Sequence, residues 1–535
     1  MAMPQVLNRV TRFLRDNRAN VAVTFAIASI PTIGAVGVAV DYSMATRMQA
    51  KLQSAADTAA VASISQNSAG YLQASQMLTD GLVPNGATEA SNIFNGNAAN
   101  ATGYQNKTVT PTVTKTGSKL TSTVTWSAQV PVTFTKVFNL LGANWQYLTI
   151  SGSSQATASL PLYLDFYLML DVSGSMGLPS TASEANRLQW LNPDNYRQYP
   201  TGCTLACHFP FQNAACTDSG TQGYPTNGYC LGYMISRVSP SGYLNLLQID
   251  STKSYPYVYN GDQTTSSKYG KHLVLPSTVK SGLPNSLNNS LPPVANCPTP
   301  GTDNCIQLRL DAVGYAVNQL LATANSPTYL KIPNQFRVGL YPYITSLYTS
   351  YAPLTSNLTG SAITTAAANL ATLLDTNTNS NLGSGGTNQD AALYAMNNLI
   401  SSVGDGSASN NTIPYVFMIT DGAVTPQTKG VPNGGWSGSN HDTVIPTPDQ
   451  NCTNLRSKGV KVSILYIPYV PINPVNASFA NDEDDYANNN IPNISKSLQA
   501  CASPGFYYEA NTPQDIADAL KAMFQHALVE AHVSN

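Results

Sequence analysis

Three short stretches concentrate oxygen-bearing side chains that could do chemistry. Asp171-Val172-Ser173-Gly174-Ser175 alternates a carboxylate with two hydroxyls, Gly385-Gly386-Thr387-Asn388 offers a hydroxyl after two glycines, and Thr420-Asp421-Gly422 sets a second carboxylate at a turn. Such groups suit a hard cation, Mg²⁺ or in its place Mn²⁺ or Ca²⁺. Nucleophilic attack by a serine is the rival chemistry. Ser173-Gly174-Ser175-Met176-Gly177 is one residue short of the hydrolase elbow G-x-S-x-G, and Asp421 and His441 follow in hydrolase order. An elbow serine must enter a helix at once, however, whereas Gly177, Leu178 and Pro179 lead into a loop. A serine hydrolase is therefore only the remote alternative, and no catalysis is expected.

The elements that must position these clusters are legible as apolar runs. Leu162 to Leu170 runs directly into Asp171, and comparable stretches follow at Arg337 to Ile344, Tyr415 to Thr420, Lys461 to Ile467 and Phe506 to Tyr508. Short apolar runs of this kind read as buried parallel strands. Between them Ile306, Leu310, Val313, Val317 and Leu320 share one helical face, as do Leu393, Met396, Leu399 and Ile400. A last helix is announced by Thr512 as N-cap, Pro513 and Asp515, followed by Ile516, Leu520 and Phe524. Strands alternating with helices predict an α/β fold with a doubly wound, mostly parallel sheet, whose ligands sit beyond the C-terminal strand ends.

With the three polar clusters near those ends, the pattern resembles the von Willebrand factor A family and its metal-ion-dependent adhesion site. All five positions of D-x-S-x-S, a distant Thr and a distant Asp match. The resemblance implies that Ser173, Ser175 and Thr387 supply hydroxyl oxygens, while Asp171 and Asp421 bind the cation directly or through water. Neutral hydroxyls leave the ion with residual positive charge, so an acidic side chain of a protein partner could complete its shell.

A compact A domain would place its first helix soon after the metal loop, yet 129 residues, 177–305, intervene here. They hold Cys203, Cys207, Cys216, Cys230, Cys297 and Cys305, which allow up to three disulfides in 15 connectivities; Cys452 and Cys501 flank the Lys461 strand and could form a fourth. Cys203-Thr-Leu-Ala-Cys207-His208 exceeds a haem-attachment spacing by one residue, and a disulfide is preferred to haem or zinc. The insertion is either a specificity element or a stapled decoration. Asp482-Glu483-Asp484-Asp485 does not fit an EF-hand spacing and reads as a solvated loop.

Only 10% of the 535 residues are charged, 26 Lys+Arg against 28 Asp+Glu, and no basic run occurs, so nucleic-acid binding is excluded as a function class. Val21 to Val40 lacks charge and is long enough to cross about 30 Å of hydrocarbon. Arg9, Arg12, Arg15 and Arg18 precede it and Asp41 follows, which predicts a cytoplasmic N-terminus and an outside bulk. A cleaved signal peptide is disfavoured by the length of the run. Beyond it, Met44, Met48, Leu52, Ala55 and Ala59 recur at helical spacing, either packing on the rest of the protein or meeting a partner helix. Residues 71–104 show no strong periodicity and read as loops with short helices. Thr108 to Phe134 alternates Val, Leu or Trp with Thr and Ser about Gly117, which reads as a β hairpin or small sheet.

The Arg-rich leader, the run ANVAVTFAIASIPTIGAVGVAVDYS, the segment MQAKLQSAADTAAVAS and the C-terminal LQACASPGFYYEANTPQDIADALKAMF resemble the TadG-like proteins of bacterial tight-adherence (Flp) pilus systems. Asn20 and Thr24-Phe25 stand where related pilin-like segments carry Gly and a Glu-Phe or Glu-Tyr pair, so the apolar segment should persist as an anchor. The expected order is a cytoplasmic leader (1–20), a transmembrane helix (21–40), a stalk helix (41–70), a spacer with the β module (71–159), the A domain (160–526, insertion 177–305) and a tail (527–535). The implied protein sits in the bacterial inner membrane with its bulk in the periplasm. Its cation-dependent A domain would bind an acidic residue of a pilus or envelope protein during pilus assembly or surface attachment. The alternative is an exported adhesin that contacts host or neighbour-cell ligands.

Overall fold

The computed structural model describes residues 20–136, 144–191, 233, 236–242, 264–266, 270–272, 294–375, 379–431, 434–439, 441–469, 471 and 483–534. The Arg-rich leader, Cys203, Cys207, His208, Cys216 and Cys230 fall outside them, as do the side chains of the acidic run 482–485. The chain divides into two compact units, Met1–Pro161 and Leu162–Asn535.

In the first unit one helix, α1 (Asn20–Ala62), continues through Pro31. Its early part exposes Val21, Phe25, Ile30 and Ile33, and the helix is long and apolar enough to cross a membrane. Past Asp41 the surface changes: Ala45, Met48, Leu52, Ala55, Ala56, Ala59 and Ala60 are buried in a core shared with a sheet. Met44, expected on that face, is exposed, and Ala45 takes its place. Alanine brings the helix close to the strands without a large side chain to accommodate, so the Ala-rich face packs within its own unit.

Residues 71–104, expected as loops with short helices, contain most of α2 (Ala69–Gln76), then β1 (Gly81–Leu82) and the longer α3 (Pro84–Ala98). Pro84 starts α3, where a missing N–H costs nothing, and Gly86, Ala90, Phe94 and Ala98 form its buried stripe. The antiparallel sheet runs β1-β2-β3-β4, with β2 at Gln105–Thr116, β3 at Lys119–Pro131 and β4 at Tyr147–Ser159. The expected hairpin is present as β2 and β3, and β3 buries every second residue from Leu120 to Val130. Asp41 is buried at the edge of this unit. Its carboxylate accepts the amides of Thr133, Phe134 and Thr135 at 3.0, 3.0 and 2.7 Å, and also the Thr135 hydroxyl.

The second unit is a mixed α/β assembly on a six-stranded sheet. Its strands are β5 (Leu164–Asp171), β6 (Phe336–Tyr343), β7 (Ala352–Thr355), β8 (Ile413–Thr420), β11 (Lys461–Tyr466) and β12 (Tyr507–Glu509). Their order is β12-β11-β8-β5-β6-β7, parallel throughout except for the edge strand β7. A two-stranded ribbon, β9 (Thr428–Lys429) with β10 (Trp436–Ser437), interrupts the connection after β8.

Each sheet face carries its own buried core, which explains the continuous apolar runs. Phe166, Leu168 and Phe417 pack with Leu310, Val313 and Val317 of α5 (Arg309–Ala324) and with Ile516, Leu520 and Phe524 of α10 (Pro513–Ser534). Tyr167, Met169 and Val416 pack on the other side. There they meet Leu393 and Met396 of α7 (Gln389–Leu399), Leu455 of α8 (Gln450–Ser457) and Leu498 of α9 (Glu483–Cys501). The remaining helices are α4 (Ala182–Leu191) and α6 (Ser361–Ala368). The expected capping box closes α10: the Asp515 amide donates to the Thr512 hydroxyl at 3.2 Å and the Thr512 amide to Asp515 at 3.0 Å. Of residues 527–535, expected as a tail, those up to Ser534 belong to this helix; Ala527 and Ala531 are buried, and Glu530 pairs with Lys461.

The long insertion leaves and rejoins the unit at neighbouring points. Ser180 donates its amide to the Gln307 carbonyl, and Arg309 donates its amide to the Leu178 carbonyl, each at 2.9 Å. Glu184, buried on α4, accepts the Gln307 and Gly301 amides at 2.7 and 2.9 Å. Cys297 and Cys305 form a disulfide, and a second one joins Cys452 of α8 to Cys501 of α9.

Candidate functional site

Asp171 is the last residue of β5, and Asp421 follows β8 directly, so hydrogen bonding between these adjacent parallel strands sets both carboxylates at one end of the sheet. Ser173 and Ser175 stand in the turn after β5, where Gly174–Gly177 forms a 3₁₀ helix and their hydroxyls lie 3.3 Å apart. The Asp171 carboxylate accepts the Ser173 amide at 3.0 Å through one oxygen and the Thr420 hydroxyl at 2.7 Å through the other.

The third cluster joins through a neighbour. Gln389, the first residue of α7, donates its side-chain amide to the Thr420 hydroxyl at 2.8 Å. A hydrogen-bond chain therefore runs from Gln389 through Thr420 to Asp171 and links all three loops. Thr387 is buried and its carbonyl accepts the Thr425 amide at 3.0 Å, while the Asn388 amide reaches the carbonyl of Ile344 beyond β6 at 2.9 Å. Backbone freedom is needed at Gly385, whose φ is +111° and where an added Cβ would lie 2.7 Å from the Lys429 amide nitrogen. Asp421 is followed by Gly422 at φ +76°, with its amide on the Thr420 hydroxyl at 2.9 Å.

The electrostatics are strained toward neutrality. Burial, and then the charge of Asp421, push the Asp171 carboxyl above the ordinary carboxylate range. Burial also raises Asp421, against the opposing influence of the Ser175 hydroxyl and the Arg309 guanidinium. Asp421 Oδ2 is buried without a hydrogen-bond partner among the described residues, and so is Gln389 Oε1. A buried polar atom left unpaired costs about 1–3 kcal/mol, and more when charged. A hard cation fits this set: it would satisfy the orphaned oxygen and neutralise the carboxylates, with hydroxyls at hand. Among the described residues no group of three or more His, Cys, Asp or Glu side chains could hold a metal. The oxygens gathered at these loops are the two carboxylates and the hydroxyls of Ser173, Ser175 and Thr420.

The hydrolase arrangement does not form. Asp421 faces Ser175 without an intervening imidazole, and exposed His441 stacks on Tyr486 with ring centroids 3.8 Å apart. Two residues beside the clusters carry no sequence signal for this place: Gln389, which bridges the loops, and Arg309, whose Nη2 donates to the Pro468 carbonyl at 2.9 Å beside the same strand ends.

Among solved structures, the chain is similar to the pilus adhesin SpaC from Lactobacillus rhamnosus GG, at 10% identity and a TM-score of 0.29, over 79% of this chain and 34% of that one. It is similar to the PilB minor pilin from Streptococcus sanguinis at 9% identity and a TM-score of 0.30, over 80% of each chain. The vWF domain of the type V pili tip protein Mfa5 from Porphyromonas gingivalis aligns at 10% identity and a TM-score of 0.25, over 42% of this chain and 88% of that one. The chain thus spans about a third of the length of SpaC, and likeness at these scores carries no conclusion about function. No curated protein matches the chain significantly. Residues 19–66 match the family described as putative Flp pilus-assembly TadE/G-like. Together with its one long apolar helix among the described residues, this match fits a single-pass membrane protein that carries a TadE/G-like Flp pilus-assembly segment at its N-terminus.

Proposed function

We propose that this protein is anchored by residues 21–40 with its bulk outside the cytoplasmic membrane, and that its second unit is a von Willebrand factor A domain which binds a protein partner through a divalent cation. Asp171, Ser173, Ser175, Thr387 and Asp421 hold the ion, Mg²⁺ or in its place Mn²⁺ or Ca²⁺. An acidic side chain of a pilus or envelope protein completes its shell. The single observation that carries this reading is the buried Asp421 Oδ2, without a hydrogen-bond partner among the described residues, beside Asp171 at the C-terminal strand ends. Two buried carboxylates without a paired cation are costly, and strand ends of an α/β sheet are where such folds bind ligands. The TadE/G-like segment supports the pilus setting. The role is adhesive or structural, and no reaction is assigned.

When bound, the cation supplies a Lewis-acidic point for an acidic ligand. The chain's own residues do the remainder: Thr420 and the Ser173 amide fix the Asp171 carboxylate, and Gln389 ties α7 to that network. Titration of the full chain with Mg²⁺ and Mn²⁺ tests the reading. Asp171→Ala and Asp421→Ala are expected to weaken cation binding at least 100-fold, and parental affinity in both variants would overturn it.

A further inference from the structure

Arg309 is an unusual neighbour for a cation site. It begins α5, and its amide donates to the Leu178 carbonyl immediately after the Gly174–Gly177 turn that carries Ser175. Its guanidinium reaches the opposite side of the strand ends. Nη2 is held by the Pro468 carbonyl at 2.9 Å, and the preceding Ile467 donates its amide to Thr420, the residue before Asp421. Arg309 thus runs from the segment just after the D-x-S-x-S turn, through its backbone, to just past the end of β11, through its side chain, and β11 lies beside the strand β8 that leads into Asp421. Arg309 is only 7% exposed, and among the described residues its buried Nη1 has no hydrogen-bond partner, just as Asp421 Oδ2 has none. A fixed positive charge with an unused donor therefore stands beside an anionic cluster without closing an ion pair on it.

We infer that Arg309 sets the charge balance of the site, weakening its hold on a bare cation and strengthening the loaded site's attraction for an acidic ligand. This rests on the cation-site reading above. With both carboxylates ionised, Asp171, Asp421 and Arg309 give an empty site one net negative charge, and a divalent ion turns it to one net positive charge. Without the guanidinium the loaded site would be neutral. At the low effective dielectric of a buried cluster, one unit charge at several ångströms changes an affinity by about tenfold or more. Cation and acidic ligand then assist each other, because each relieves the charge that the other leaves.

The test uses the full chain in lipid nanodiscs, with free Mn²⁺ read by electron paramagnetic resonance and a capped Gly-Glu-Gly peptide as the acidic probe. Capped Gly-Gln-Gly is the control. Arg309→Gln is expected to bind Mn²⁺ alone about tenfold more tightly and the acidic peptide, once loaded, about tenfold more weakly. Arg309→Lys should stay near the parent in both. Opposite shifts are something general damage to the fold does not produce. Shifts of the same sign, or both affinities within twofold of the parent, overturn the inference. Should Arg309→Gln not fold, the parent decides: its Mn²⁺ affinity must rise with Gly-Glu-Gly and not with Gly-Gln-Gly, and equal affinities overturn the inference. Asp421→Ala separates the two layers. Parental Mn²⁺ binding in that variant removes the cation site itself, whereas lost binding there with an unmoved Arg309→Gln removes only the role of Arg309.

Discussion

Two buried arginines near α5 are used in opposite ways. Arg237 lays both terminal nitrogens on Asp311, at 2.8 and 2.7 Å, and each oxygen of that carboxylate takes a further amide, from Cys297 at 3.1 Å and Leu308 at 2.8 Å. Although burial works against its charge, the paired Asp311 holds the Arg237 pKa above its ordinary value. Arg309, two residues before Asp311 on the same helix, has no partner for Nη1 among the described residues, nor has Oδ2 of the nearby Asp421; there burial prevails and the Arg309 pKa is lowered. The first arrangement is closed and holds the returning insertion in place. The second is open, with a donor and an acceptor left over, and that is the arrangement on which the proposed cation site rests. Completeness of the hydrogen bonds, rather than burial or charge alone, distinguishes a strut from a binding group.

The largest effect should come from breaking the closed pair. Arg237→Met leaves the buried Asp311 charge with only two amides and is expected to destabilise the second unit by about 3–5 kcal/mol. Converting both partners, Arg237→Met with Asp311→Leu, should recover most of that loss. Urea unfolding followed by tryptophan-independent circular dichroism measures both. Arg309→Met, which removes no closed ion pair, should cost clearly less, and an equal cost would mean that the two arginines are not used differently.

A medium effect is expected in the first unit, where Asp41 is another closed carboxylate. Asp41→Ala strands the amides of Thr133, Phe134 and Thr135 and should cost about 2–3 kcal/mol. Hydrogen exchange at those three amides is the sharper readout. They should exchange at least tenfold faster in the variant, while exchange within the Gly174–Gly177 turn stays unchanged. Unaltered protection at all three would show that the carboxylate is not what orders that segment.

Reading the chain as a string reached some of these groups and not others, for physical reasons. Buried parallel strands announce themselves as apolar runs, so β5, β6, β8 and β11 and the clusters at their ends were visible in one dimension. Helix α3 was not: its buried stripe of Gly86, Ala90, Phe94 and Ala98 is built mostly from small residues, which give little periodic signal, although Pro84 and the spacing of four were available. Strand β4 hid because most of its residues are polar or small and face outward. Asp41 could be read as a charge beyond an apolar run but not as an acceptor for amides some 90 residues away. Gln389 and Arg309 are silent for the same reason, since their meaning comes from which loops the sheet brings together. The Cys452–Cys501 pair was legible, because the two cysteines flank one strand, and α8 and α9 bring them together.

The smallest expected signal, a slope in stability with pH, tests the open site from the thermodynamic side. Asp171 and Asp421 are both held above the ordinary carboxylate range, first of all by burial. In the unfolded chain such groups lose their protons near pH 4. Between that value and the higher range of the folded pair, the unfolded state releases protons that the folded state retains, so rising pH favours unfolding of the cation-free protein. With chelator present, the urea midpoint should therefore be lower at pH 8 than at pH 5. Saturating Mg²⁺ should flatten the profile, because the ion takes over the neutralising role of the protons. Asp421→Asn should also reduce the slope, since it removes one titrating group and the like charge that acts on Asp171. A stability that instead rises with pH without cation would mean that the two carboxylates are satisfied as anions, and the distinction between the closed and open pairs would collapse.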